Sequence, residues 1–78
     1  MTKHELAKKI HDMQRGETFD FEFVNKYGDL IYAAATHFRF HDLERVLVSA
    51  YGRNEYDLLI TEFDNVKDIE EKLDFIVS

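Results

Sequence analysis

The chain has 78 residues, of which 45% are hydrophobic, so residues 1–78 can form one domain with a single small core and are too apolar for intrinsic disorder. It contains no cysteine, which excludes disulfide bonds, thiolate metal sites and cysteine nucleophiles. With 16 acidic and 10 basic residues, the net charge of −6 argues against a protein that binds nucleic acid by neutralising phosphates. The polar N-terminus and the lack of a long apolar stretch predict a cytoplasmic protein without a membrane span.

The net charge is concentrated in the last third of the sequence. Residues 55–78 contain eight acidic side chains and two lysines, which gives −6, the charge of the whole chain. The acidic residues are Glu55, Asp57, Glu62, Asp64, Asp68, Glu70, Glu71 and Asp74. Residues 1–16 carry four basic and two acidic residues, or +2. This separation of charge is the clearest functional indication in the sequence.

Residues 2–15 are predicted to form the first helix. Thr2 and Glu5 have the spacing of a capping box, in which the threonine hydroxyl accepts from the Glu5 N–H and the glutamate reaches back to the N-cap. Gly16 stands where such a helix ends. The apolar stripe of the helix consists of Leu6, Ala7, Ile10 and Met13.

Two strands are predicted next. Residues 18–24 alternate, with three phenylalanines on one side and Asp20 and Glu22 on the other, which is typical of a half-buried antiparallel strand. Residues 25–29 have turn composition, including Gly28. A second strand is predicted from Leu30 to about Phe40, although the alanines at 33–35 taken alone favour a helix.

Residues 42–51 fit two structures. Their apolar positions match a helix that begins at Asp42 and ends at Gly52, and they also match a buried strand from Arg45 to Tyr51. The strand is favoured because it keeps the connections short and gives a strand over residues 56–63 a neighbour, with residues 52–55 as the hairpin loop. The helical alternative leaves a three-stranded sheet.

A final helix follows Asp64 and Asn65, with Val66, Ile69, Leu73 and Ile76 as its apolar stripe. The predicted fold is therefore α+β, in the order α-β-β-β-β-α, with an antiparallel four-stranded meander and both terminal helices on one face. The other face is expected to be solvated and to carry the carboxylates of the first strand. The aromatic residues assigned to the core beneath the helices are Phe19, Phe21, Phe23, Phe38, Phe40 and Phe63.

The side chains that usually carry out catalysis are scarce. His37 and His41 form an H-x-x-x-H pattern, but on a strand they lie about 13 Å apart, too far to share one metal ion. Ser49 lies outside any G-x-S-x-G motif, and the three glycines form no phosphate-binding loop. The sequence therefore predicts no metal, no cofactor and no enzymatic activity.

Two sets of residues are candidate contact surfaces. The first is an acidic face along the final helix, formed by Asp64, Asp68, Glu70, Glu71 and Asp74. The second is a set of tyrosines at predicted loop edges, Tyr27, Tyr51 and Tyr56, because tyrosine is enriched at protein interfaces.

These surfaces lead to three hypotheses. The first is a non-catalytic module that binds a protein with a basic surface, without contacting nucleic acid or membrane. The second is an inhibitor of a nucleic-acid-processing enzyme, of phage or mobile-element type, whose carboxylates imitate phosphates. The third is a structural homodimer that pairs exposed sheet edges or the open face of the sheet.

Overall fold

The computed structural model describes residues 2–51 and 57–77. In chain order the elements are α1 (Lys3–His11), β1 (Thr18–Val24), β2 (Leu30–Phe40), β3 (Leu43–Ala50), β4 (Asp57–Thr61) and α2 (Val66–Leu73). The strands form one antiparallel sheet in the order β1-β2-β3-β4. The predicted α-β-β-β-β-α meander is confirmed, and the helical alternative for residues 42–51 is wrong. The predicted loop 52–55 lies outside the described residues.

The turn between β2 and β3 explains why residues 43–50 form a strand. His41 and Asp42 both have positive φ, 52° and 61°, as a two-residue hairpin turn requires. The turn places Phe40 opposite Leu43, and from there β3 pairs with residues 33–40 of β2. The strand therefore begins two residues before the predicted Arg45.

Both helices pack on one face of the sheet, here called the covered face. Ala33 and Ala35 of β2 are fully buried there, between Phe21 and Phe19 of β1 and Ala50 and Val48 of β3. Small side chains at the middle of β2 leave room for the apolar stripes of the helices. Those stripes contribute Leu6, Ala7, Ile10, Ile69 and Leu73, all of which are almost completely buried.

Three phenylalanines assigned to the core are not beneath the helices. Phe38 is half-buried on the opposite face, Phe40 is 58% exposed, and Phe63 is 78% exposed in the turn after β4. The reason is the two-residue period of a strand: because Ala35 and His37 face the helices, Phe38 and Phe40 must face away from them. The prediction was correct for β1, where Phe23 is buried and Phe19 and Phe21 pack against the core.

Charged side chains join the two helices. The amino group of Lys3 lies 2.6 Å from Asp74, and His4 lies 3.4 Å from Glu70. The opposite charges of the two ends of the sequence are thus partly paired within the molecule.

The two ends of α1 were predicted with different success. Thr2 accepts from the N–H of Glu5 as predicted, although its hydroxyl also donates to the Glu5 carboxylate. α1 ends at His11, four residues earlier than predicted.

Asn25 ties the turn between β1 and β2 to the C-terminal segment. Its side chain is buried, and its amide donates to the carbonyl of Ile76 at 2.9 Å. Its carbonyl oxygen accepts from the N–H groups of Tyr27 and Asp29, which holds the turn closed. The side chain of Asn25 therefore forms hydrogen bonds with backbone groups of the β1–β2 turn and of the C-terminal segment.

We expect Asn25→Ala to lower the free energy of unfolding by about 2–3 kcal/mol, since it removes three hydrogen bonds to backbone groups and leaves those groups without partners. Urea unfolding followed by circular dichroism measures the change. The matched control is Asn65→Ala, which removes the N-cap of α2 and is expected to cost about 1 kcal/mol. Equal losses in the two variants would show that Asn25 acts only as a local turn residue.

Candidate functional site

The face of the sheet opposite the helices, here called the open face, is the main candidate site. The register assigns to it the even-numbered residues of β1 and β2 and the odd-numbered residues of β3 and β4. Its large apolar side chains are Val24, Leu30, Tyr32, Phe38, Phe40, Leu43, Leu47 and Leu59, with Tyr51 just after β3. No element among the described residues covers them.

The apolar side chains of the open face adjoin one another across strands. Phe40 stands opposite Leu43, and Leu47 stands opposite both Thr36 and Leu59. Single exposed apolar residues are common, but a continuous apolar surface on a small protein is typical of an interaction site. The ring of Phe40 also meets His41 edge to face, with 4.2 Å between ring centres.

Among the described side chains of the open face, charged groups are few. Asp20 and Glu22 lie on β1, at one edge of the sheet, and Arg45 lies on β3. Asp20 accepts a 2.6 Å hydrogen bond from the Tyr51 hydroxyl. That bond, with smaller effects of desolvation and of the Asp20 charge, raises the pKa of Tyr51 above its ordinary value. One guanidinium nitrogen of Arg45, Nη1, is buried without a hydrogen-bond partner among the described residues.

The predicted acidic face is largely engaged in contacts within the chain. Asp64 accepts from Lys72 at 2.6 Å and from the N–H of Thr61 at 2.9 Å. Asp74 accepts from Lys3 at 2.6 Å and from the N–H of Lys26 at 3.0 Å. Lys72 also donates to the carbonyl of Leu59 in β4 at 3.1 Å. These carboxylates therefore fasten α2 to α1, to β4 and to the turn between β1 and β2.

The remaining acidic positions differ in exposure. Glu70 is half-buried beside His4, Asp68 is half-buried, and Glu71 is exposed. The structure thus brings the five predicted residues onto one element and its ends, but leaves Glu71 as the most accessible of them. This accessibility was not evident from helical spacing alone.

The candidate tyrosines are not brought together as one surface. Tyr27 is exposed in the turn between β1 and β2, where the amino group of Lys26 lies 5.2 Å from the centre of its ring. Tyr51 is exposed at the end of β3, beside the open face. Tyr56 lies outside the described residues.

A second candidate site is a cleft of about 420 Å³ where α1 ends above β2, β3 and β4. Its apolar lining includes Met13 and Ile60, and its polar lining includes His37 and Glu44. His37 is buried, with Nε2 3.1 Å from the Glu44 carboxylate, while Nδ1 is buried without a hydrogen-bond partner among the described residues. This pair was not predicted from the sequence, because the assignment of Phe38 and Phe40 to the core placed His37 on the other face of β2.

No grouping of histidine and carboxylate side chains suited to a metal ion occurs within residues 2–51 and 57–77. His37 lies in β2, whereas His41 lies in the following turn. No helix in the described part of the chain is long and apolar enough to cross a membrane.

No protein-family model matches the chain, and comparisons with curated proteins and with solved structures found no match. The function is therefore inferred from the surfaces of the chain itself.

The Asp64 contacts predict a pH-dependent stability. Burial is the largest influence on this carboxyl group and would raise its pKa, but the hydrogen bonds from Lys72 and Thr61 and the Lys72 charge hold the pKa below its ordinary value of 3.8. The ionised group therefore stabilises the folded state above pH 3.8, and this stabilisation is lost as the pH falls through the lowered pKa.

We expect Asp64→Asn to lower the free energy of unfolding by about 1–2 kcal/mol at pH 7, and the difference from wild type to disappear near pH 2. Urea unfolding across this pH range measures both values. Glu71→Gln is the control, because Glu71 is exposed on the same helix. A difference for Asp64→Asn that stays constant with pH would contradict the role of its charge.

Proposed function

We propose that this chain is a non-catalytic protein-binding module and that the open face of its sheet is the contact surface. The observation that carries the proposal is the set of large apolar side chains on the outer side of β2, β3 and β4, which no described element covers. In water such a surface favours association, because removing apolar area from solvent contributes about 25 cal/mol per Å². An antiparallel sheet with helices on one side is suited to binding a partner on its other side.

The composition of the open face also supports protein binding. Tyr32 and Phe40 are exposed near opposite ends of β2, and Tyr51 lies beside Tyr32 at the end of β3. Aromatic residues are enriched at the centres of protein interfaces, whereas charged residues are depleted there. The carboxylates of Asp20 and Glu22 at the β1 edge fit the polar rim that surrounds such a centre.

The acidic face has a secondary role in this proposal. Asp68 and Glu71 are the two predicted residues without a side-chain ion pair among the described contacts, and Glu71 is exposed. Charges of this kind attract a basic partner and orient it, with more effect on the association rate than on affinity. Phosphate mimicry receives less support, because Asp64 and Asp74 already bind lysines of the same chain.

The cleft beside α1 gives weaker support to an enzyme than the open face gives to a binding module. A general base must reach a substrate proton directly or through one water. In His37, Nε2 is directed to Glu44, and Nδ1 is buried away from solvent. The pair is accordingly assigned a structural role in the proposal, as a polar contact at the end of β2.

The proposal predicts that Tyr32→Ser combined with Phe40→Ser weakens partner binding by at least about 30-fold, since it removes two exposed aromatic anchors. A photo-crosslinking residue at position 40 first captures the partner, which is identified by mass spectrometry. Calorimetry with the purified partner then gives the affinity of each variant. Asp68→Lys with Glu71→Lys is expected to lower mainly the association rate.

The matched control is Phe75→Ser, which replaces an exposed aromatic residue that follows α2. It should bind as wild type does. If the Tyr32/Phe40 variant keeps wild-type affinity and crosslinks arise equally from positions 40 and 75, the open face is not the contact surface.

A further inference from the structure

We infer that the partner of the open face is the open face of a second copy of this chain, so that two chains form a four-layer sandwich of helices, sheet, sheet and helices. This inference rests on the proposed function and names the partner. Two antiparallel sheets packed face to face at a spacing of about 10 Å are a common way to complete a core.

The size of the face suits such a dimer. The molecule measures 36 × 25 × 17 Å along its principal axes. The four strands contain 31 residues, and at about 3.3 Å by 4.8 Å per residue the flat sheet covers roughly 500 Å². A specific interface buries about 800 Å² of accessible surface on each partner. The side chains that project from the open face, including exposed Tyr32, Phe40 and Tyr51, add accessible area to the flat value.

The distribution of charge permits two acidic chains to associate in this way. The charged residues that the register assigns to the open face, Asp20, Glu22, Asp57 and Arg45, sum to −2, while the whole chain carries −6. Five of the sixteen acidic residues lie on α2 and its ends, on the helix side of the sheet. In the sandwich the two α2 helices are three layers apart, roughly 30 Å, which exceeds the screening length of about 8–10 Å in physiological salt.

The charges on the open face are also arranged for two-fold pairing. Glu22 stands opposite Tyr32 on one side of β2, and Arg45 stands opposite Phe38 on its other side. The middle of β2, at Ala34 and Thr36, lies between the Glu22–Tyr32 pair and the Phe38–Arg45 pair. A two-fold axis that lies between the sheets, crosses this point and runs at right angles to the line from Glu22 to Arg45 brings Glu22 of each copy towards Arg45 of the other.

Such a pairing supplies Arg45 with a carboxylate. Arg45 forms no ion pair among the described residues, and because its Nη1 is buried within the chain, Glu22 of the other copy meets the accessible part of this half-buried side chain. The neutral side chains at the centre, including exposed Thr36 and half-buried Leu47, then pack against their copies. Charged residues stay away from the centre, as in other homodimer interfaces.

The test is the mass of the purified full chain in solution. Sedimentation equilibrium at about 100 µM is expected to give about 18.6 kDa, twice the 9.3 kDa of one chain. Thr36→Lys places two ammonium groups at the two-fold axis and is expected to weaken dimerisation at least about 100-fold, which leaves a folded monomer. Gln14→Lys, an equivalent change on an exposed residue after α1, should leave the dimer intact.

A charge exchange tests the pairing within the dimer. Arg45→Glu and Glu22→Arg should each weaken the dimer, and the double variant should recover most of the loss. Recovery in the double variant supports the two-fold arrangement, and two additive losses overturn it. Circular dichroism and thermal unfolding establish that each variant is folded.

The inference and the proposed function fail in different ways. If the wild-type chain sediments as a monomer at about 100 µM, a second copy is not the partner of the open face. If the position-40 crosslink then joins a different protein whose binding Tyr32→Ser/Phe40→Ser weakens, the open face remains a contact surface. If neither self-association nor partner binding responds to open-face variants, both are wrong.

Discussion

The side-chain alternation of β2 is the constraint on which the rest of the structure depends. Ala33 and Ala35 are packed beneath the helices, and this fixes which side of every strand faces inward, because the neighbouring strands are held in register with β2. A shift of one residue would bury Phe38 and Phe40 and expose the alanines. In the middle of β2, small residues therefore face the helices while Phe38 and Phe40 face away from them. The apolar character of the open face follows directly from this orientation of β2.

The charge separation along the sequence has a structural explanation as well as a functional one. Lys3 binds Asp74, and His4 lies beside Glu70, so that the basic first helix and the acidic last helix hold each other on the sheet. The contacts of Asp74 with Lys26 N–H and of Asn25 with Ile76 add the first hairpin to the same group of interactions. The two ends of the chain are thereby joined to each other and to the sheet. The separation of charge along the sequence, which suggests a surface for a basic partner, is in part explained by contacts between the two helices of the same chain.

The element order followed from local patterns that depend on few residues. The alternation of residues 18–24, the apolar stripes of both helices and the caps at Thr2 and Asn65 were sufficient to place the helices and β1. The orientation of β2 was not predictable in the same way, because its odd and even positions are both apolar and only packing against the helices selects between them. For this reason Phe40 was assigned to the core and the open face was expected to be mainly carboxylate. The acidic face was found from composition, but its ion pairs depend on contacts between elements remote in sequence.

The Asp64–Lys72 pair also affects what kind of assembly the molecule permits. Asp64 accepts from the N–H of Thr61 and Lys72 donates to the carbonyl of Leu59, so two backbone groups on the outer side of β4 already have partners. A free outer strand with leucine and isoleucine side chains is the type of edge that recruits further strands into open-ended fibrils. With these groups occupied and an ammonium group at that position, addition of a further strand to β4 is disfavoured. Extension of the sheet in both directions, which an open-ended fibril needs, is disfavoured with it.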